Sequence, residues 1–167
     1  AVAAACRSLF SFMVKDLGLD LAPPGPPDLA RGATLFAANC VSCHAADGSG
    51  DTPLAKTLSP PPASFRDEDR ISRISPTLAY QSISFGVTGT AMPSFSQLAA
   101  ADRWHLGAYV VALRQPTPAT LPTGIPEELR EFRLLASLTD RELAARLADV
   151  KVVQPAVALA VSALATL

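Results

Sequence analysis

Apolar residues recur three and four apart in several separate stretches of this chain, the spacing of amphipathic helices. In residues 1–21, Leu9, Phe10, Phe12, Met13, Val14, Leu17 and Leu19 fit a helix ending near Gly18. Asp28 can cap a second helix from Leu29 to about Asn39, with Gly32, Leu35 and Phe36 on one face. Ser75-Pro76 reads as a cap followed by proline at the first helical position, and that helix runs through Leu78, Tyr80 and Ile83 until Gly86 closes it. Leu106, Gly107, Tyr109, Val110 and Leu113 give the repeat of a further helix over Asp102 to Arg114, where Ala99 stands in place of a capping side chain, a weakness of about 1 kcal/mol. A glycine inside a helix costs about 1 kcal/mol against alanine. Gly32 is therefore expected where the 102–114 helix crosses closely. Asp67 to Ser72 reads as a short charged surface helix, and Ala46 to Asp51 as turns. In the tail, Pro126-Glu127-Glu128 starts a helix carrying Leu129, Phe132 and Leu135, and Thr139 to Glu142 is a capping box opening another with Leu143 and Leu147. The charges on these tail helices alternate in sign, and the tail either packs back on the central unit or leads to a further domain.

Proline clusters divide this helical pattern. The chain has 167 residues and 15 prolines, about twice the average usage. They gather in Ala22 to Pro27 and in Pro116 to Pro126, where no helix survives. Three parts result: 1–27, a helix and stiff linker; 28–115, the central domain; and 116–167, a linker and helical extension. A net charge of −1 provides no global case for nucleic acid or an anionic membrane. No stretch reaches the roughly 18 apolar residues of a membrane span, Ala156 to Leu167 being short and following Pro155. The apolar start lacks the basic region of a signal peptide, and Ala4-Ala5-Cys6 is only a faint lipoprotein signal. Without an initiator methionine the chain reads as a processed protein or an excised piece.

The chemistry concentrates in Cys40-Val41-Ser42-Cys43-His44, the C-x-x-C-H pattern of covalent haem c attachment. Residues three apart on a helical turn share a face, so both thiols can reach the vinyl groups of one porphyrin. His44 then meets the iron from the same side. A bare C-x-x-C also suits half a zinc site or a thiol redox pair. Zinc needs four ligands, and of the other cysteines and histidines only Cys6 and His105 remain, far apart in the sequence; a redox pair wants a strand–helix–strand setting, absent around residue 40.

Met92 lies in Gly89-Thr90-Ala91-Met92-Pro93-Ser94-Phe95, a loop that can present a thioether to the other side of the iron; its other reading is a core filler. Met13, among apolar residues, reads as packing, and His105 as exposed or hydrogen-bonded. His–Met coordination raises haem potential and suits electron transfer. A ligating histidine normally donates its second ring N–H to a carbonyl; the first candidate acceptor is Pro53, with Pro60 behind it. Phe65, Tyr80, Pro93 and Trp104 complete the candidate haem-contacting set. Trp104 and Tyr109 read first as plain packing, which helical spacing explains, and second as haem-facing aromatics.

Cys40-x-x-Cys43-His44, the Gly32/Phe36 and Leu106/Tyr109 helix pair and Met92-Pro93 together resemble a class I cytochrome c over about residues 28–115. That resemblance implies an all-α, class I cytochrome c fold, with roughly three to five helices around one covalently bound haem and extra N- and C-terminal helices here. It also implies a haem edge exposed to redox partner proteins and a periplasmic or other extracytoplasmic location. A narrower resemblance rests on Asp28 to Ala33, Pro60 to Phe65, Ile83 to Gly86, Gly89 to Pro93, Ala101 to Trp104 and Thr139 to Leu143. These are similar to the cytochrome segment fused ahead of bacterial high-affinity iron permeases. A membrane permease domain, absent from this chain, would then follow, tethering the unit to a membrane. Ala99 and Ala45 depart from that pattern at a usual capping serine and a usual His-Gly.

The function expected is single-electron transfer through a His44/Met92-ligated iron, coupled to iron uptake or oxidation, with no substrate-converting site. The alternatives are a free-standing periplasmic carrier, a cytochrome subunit of a respiratory or dehydrogenase complex, or, with Met92 not bound, a haem-based ligand sensor or peroxidase-like enzyme.

Overall fold

The structure, a computed structural model, describes residues 16, 23, 25–113 and 132–146. The expected helix over residues 1–21, Cys6, the second proline zone, the helix start at Pro126 and the apolar end of the chain lie outside these residues, apart from Asp16. Among the described residues there are helices and no strands. The elements are α1 (Leu29–Asn39), α2 (Val41–His44), a 3-10 turn (Ala55–Thr57), α3 (Glu68–Ile71), α4 (Pro76–Phe85), α5 (Ala100–Ala112), α6 (Phe132–Ser137) and α7 (Asp140–Arg146). No helix among them is long and apolar enough to cross a membrane.

Local signals account for most boundaries. Asp28 caps α1 by accepting from the Arg31 N–H at 2.9 Å, and Ser75 caps α4 by accepting from Leu78 at 3.2 Å, with Pro76 at the first position. Gly86, at φ 72°, ends α4. Ala99 opens α5 with no side-chain cap. The Thr139/Glu142 box is formed: the Glu142 carboxylate accepts from the Thr139 N–H and hydroxyl, both at 2.8 Å.

α5 is the central element, packed by α1 on one side and α4 on the other. Both crossings use glycine. A Cβ on Gly32 would overlap the His105 carbonyl oxygen and sit 2.7 Å from the Tyr109 Cβ; one on Gly107 would sit 3.1 Å from the Pro76 oxygen. Phe36 meets Tyr109 there at 5.5 Å between centroids, and Arg31 forms a two-bond ion pair with Asp102, both bonds 2.9 Å. The Asp28 N–H donates to His105 Nδ1 at 2.9 Å, so His105 ties the start of α1 to α5.

Two findings concern the periphery, the first a correction and the second a choice between the two expected arrangements of the tail. α3 is not only a surface helix: Ile71 is 1% exposed and joins Phe36, Phe65, Ile83 and Leu106 in the core, because one side of even a single turn must face inward. The tail packs back. Leu135, Leu138 and Leu143 cover Ala79, Ala108 and Val111 on the outer side of the α4/α5 pair, and the Thr77 hydroxyl donates to the Ala136 carbonyl at 2.8 Å.

Candidate functional site

The C-x-x-C-H segment begins where α1 ends. Cys40 caps α1 through its N–H, which donates to the Phe36 carbonyl at 2.9 Å, and α2 carries Cys43 and His44 on the next turn. All three side chains line a cavity of about 350 Å³. Its other walls are the Pro60–Ala63 loop, Ile83 of α4, Leu106 and Val110 of α5, and the 90–95 loop with Met92. Met92 packs, partly buried, against the Phe36/Ile83/Leu106 cluster.

His44 is held from two directions. Its Nδ1–H donates to the Ala63 carbonyl at 3.1 Å, which leaves Nε2 as the free lone pair. Its ring stacks on Phe65 at 4.6 Å and 16°. Burial pushes the His44 pKa below its ordinary value, with the Ala63 hydrogen bond opposing, a shift that favours the neutral form, the one able to ligate. Burial, with the neighbouring Cys43 charge adding to it, pushes the Cys40 thiol up to about 11. A redox thiol needs the opposite shift. Among the described residues no cluster of histidine, cysteine and carboxylate groups could hold a metal ion by itself.

The acceptor for His44 is therefore Ala63, not Pro53 or Pro60. Pro53 is exposed and does not line the cavity, which this stretch of chain meets at Leu58 and at Pro60 to Ala63, with the Ala63 carbonyl facing His44. A backbone carbonyl carries no side-chain signal; only the proline run after the motif hinted at this stretch of loop. Of the other candidates, Phe65 and Pro93 line the cavity, whereas Tyr80 and Trp104 do not. Those two stack on each other at 4.1 Å and 12°, against Ala136 of the tail. They form a separate buried cluster with Ala136, apart from the cluster that holds Ile83 and Leu106. Sequence reasoning misses Ile83, Leu106 and Val110 as cavity-lining residues, although their helical spacing is readable.

The methionine loop is tied to α4. The Val87 N–H donates to the Met92 carbonyl at 3.2 Å and the Phe95 N–H to the Ile83 carbonyl at 2.9 Å. Gly86 lies under the loop, where a Cβ would come 2.8 Å from the Met92 oxygen.

These residues fit a haem. Two thiols and an imidazole occupy one wall, a thioether another, and the remaining lining is largely apolar, a donor set of soft sulfur and imidazole nitrogen suited to iron in a porphyrin. Among the described lining residues Arg70 is the one arginine or lysine.

The family model described as cytochrome c matches residues 29–114. Thiosulfate dehydrogenase of Stutzerimonas stutzeri is 30% identical over 113 residues, which is 65% of this chain and 34% of that protein, so the chain spans about a third of that relative's length. Among solved structures, a chain of the Kuenenia stuttgartiensis reducing HAO-like protein complex is similar with a TM-score of 0.45 and 20% identity, over 65% of this chain and 56% of that one.

Proposed function

The chain belongs to the cytochrome c family, whose cofactor is covalent haem c, and on that premise we propose a mono-haem electron carrier in which His44 and Met92 would ligate the iron. The observation that carries the proposal is the cavity itself, with Cys40, Cys43 and His44 on one wall and the Met92 loop on another. Cys40 and Cys43 hold the porphyrin as thioethers. His44 offers Nε2, aimed by its Nδ1–H bond to Ala63 and kept from rotating by Phe65. Met92 offers its thioether from a loop stitched to α4.

When bound, the haem supplies a one-electron iron(III)/iron(II) couple. The chain's part is to keep both ligands in place through that cycle and to exclude water. An apolar lining disfavours the additional charge of the oxidised site, and a thioether ligand acts in the same direction, so both raise the potential. Leu78 and Val87 line the cavity while remaining 44% and 39% exposed, and Phe85 nearby is 75% exposed. This apolar rim is where a redox partner protein would approach an exposed haem edge. Haem attachment would place the protein outside the cytoplasm, in the periplasm.

The test is the absorption spectrum of the purified protein, oxidised and reduced. The weak far-red band of iron–sulfur bonding is expected in the oxidised native protein and is expected to vanish in Met92→Ala. A native protein without that band overturns the Met92 assignment.

An enzyme or ligand-sensor role is the second reading. It is favoured by the likeness to a dehydrogenase and by the position of Met92 on a loop rather than a helix. Carbon monoxide distinguishes the two: a firmly bound methionine slows its binding to the reduced protein, and an open position does not. The iron-uptake setting rests on the sequence stretches shared with permease-linked cytochromes. Reduction of the haem on mixing with ferrous iron supports it; no reduction removes it.

A further inference from the structure

Among the described residues, Arg103 of α5 pairs with no carboxylate. Its Nη1 donates to the Ser84 hydroxyl at 2.5 Å, its guanidinium lies 5.1 Å from the centroid of the Tyr80 ring, and its Nε is buried with no hydrogen-bond partner. Among the described residues the ion pairs are Arg31–Asp102, Lys56–Asp51 and Arg66–Asp47, and none involves Arg103. A guanidinium is rarely drawn into a part-buried corner with so few partners unless its position matters.

Its position is the C-terminal turn of α4. The last carbonyls of a helix need partners from outside the helix, and here the methionine loop provides them. The Ser94 hydroxyl donates to the Ser84 carbonyl at 2.7 Å, and the Phe95 N–H to the Ile83 carbonyl at 2.9 Å. The segment after Met92 is thus the cap of α4, and Ser84 is shared: its carbonyl holds the loop and its hydroxyl holds Arg103. A positive charge at this end of α4 is also favoured by the helix dipole. Stacked against Tyr80, the guanidinium links α5 to the turn on which the loop rests.

We propose that Arg103 is the positioning residue for the methionine side of the site. By pinning the C-terminal turn of α4 to α5 it keeps the Met92 thioether over the cavity and sets how easily an outside ligand displaces it. This rests on Met92 being the sixth ligand, and the controls separate the two ideas.

The experiment uses the haem-loaded full chain, with imidazole as the competing ligand on the oxidised protein, followed by absorption. Amide hydrogen exchange is measured alongside. Met92→Ala must bind imidazole more tightly than the native protein; if it does not, the ligand assignment fails and this inference falls with it. Given that control, Arg103→Gln is expected to raise imidazole affinity about tenfold, the equivalent of about 1.4 kcal/mol. The Val87 and Phe95 amides should exchange faster, while those of Cys40 and Leu113, bonded within the α1 and α5 ends, stay as in the native protein. Arg103→Lys keeps the charge and should recover most of the native behaviour. Unchanged imidazole affinity in Arg103→Gln, or equal acceleration of all four amides, overturns the proposal. If Arg103→Gln does not accumulate, Ser84→Ala removes only the accepting hydroxyl and must produce the same pattern; native behaviour in Ser84→Ala overturns it.

Discussion

Replacing Gly32 by alanine tests the α1/α5 crossing on which the site is built. The added Cβ would overlap the His105 carbonyl oxygen and come 2.7 Å from the Tyr109 Cβ and 3.0 Å from the His105 carbonyl carbon. Carbon–carbon contacts are comfortable at about 3.5–4.0 Å, so the helices must part by about 1 Å. No rotamer change relieves this, because the obstructing atoms are backbone and a Cβ. The helices also cannot part freely: the Arg31–Asp102 pair, the Asp28–His105 bond and the Phe36–Tyr109 contact span the same crossing. Overpacking of this kind costs about 1–3 kcal/mol, and its upper end applies where backbone obstructs. Alanine returns about 1 kcal/mol of helix propensity. The net loss is about 2 kcal/mol, a fall in Tm on the order of 10 °C for a unit of this size. Thermal unfolding of the haem-loaded protein by circular dichroism measures it. Gly25→Ala, where nothing lies within 4 Å of the added carbon, is the control and should change little. A Gly32→Ala protein as stable as the native one, or more so, refutes the close-approach reasoning.

Ala45, directly after His44, holds φ 60° and ψ 159°, a region that favours glycine strongly and costs other residues about 1–3 kcal/mol. After the entropy that glycine adds to the unfolded chain, Ala45→Gly should stabilise by about 1 kcal/mol in urea unfolding. Ala99→Ser supplies the missing cap on α5 and should raise stability by about 0.5–1 kcal/mol in the same assay, the extra hydroxyl accepting from the first turn. Asp102 is held below its ordinary pKa of 3.8, first by its hydrogen bond from Arg31. A depressed carboxylate pKa contributes stability that is present above the unfolded value and lost as pH falls through the folded one. Acid titration of native protein should therefore show a loss below about pH 4 that Asp102→Asn lacks, having already lost the contribution at neutral pH.

Features carried by neighbours along the chain are legible in the residues alone. The Asp28, Ser75 and Thr139 caps, the glycine end of α4 and the uncapped start at Ala99 all depend on residues within one helical turn, and each is present as expected. Gly32 is readable for a related reason: a costly residue on a helix face implies a close neighbour. The C-x-x-C-H pattern and the Met92 loop are legible because their spacing is itself the chemistry. What depends on the route of a loop is not. Ala63 rather than Pro53 meets His44 because the loop leaves Pro53 exposed and brings residues 60–63 to the cavity wall, and a backbone carbonyl leaves no trace in residue type.

Among the described residues, the sequence by itself determined the main helices, their caps and the short motifs, since these rest on interactions between residues a few positions apart. Only the tertiary structure decided that Tyr80 and Trp104 stack in a separate cluster with Ala136, that Ile71 is core, and that Leu135, Leu138 and Leu143 of the tail cover Ala79, Ala108 and Val111. It also joined Arg103 to Ser84 and, through Ser84, to the methionine loop. Helical periodicity says that a residue faces something apolar; which of two apolar surfaces it meets is set by how the helices pack against one another.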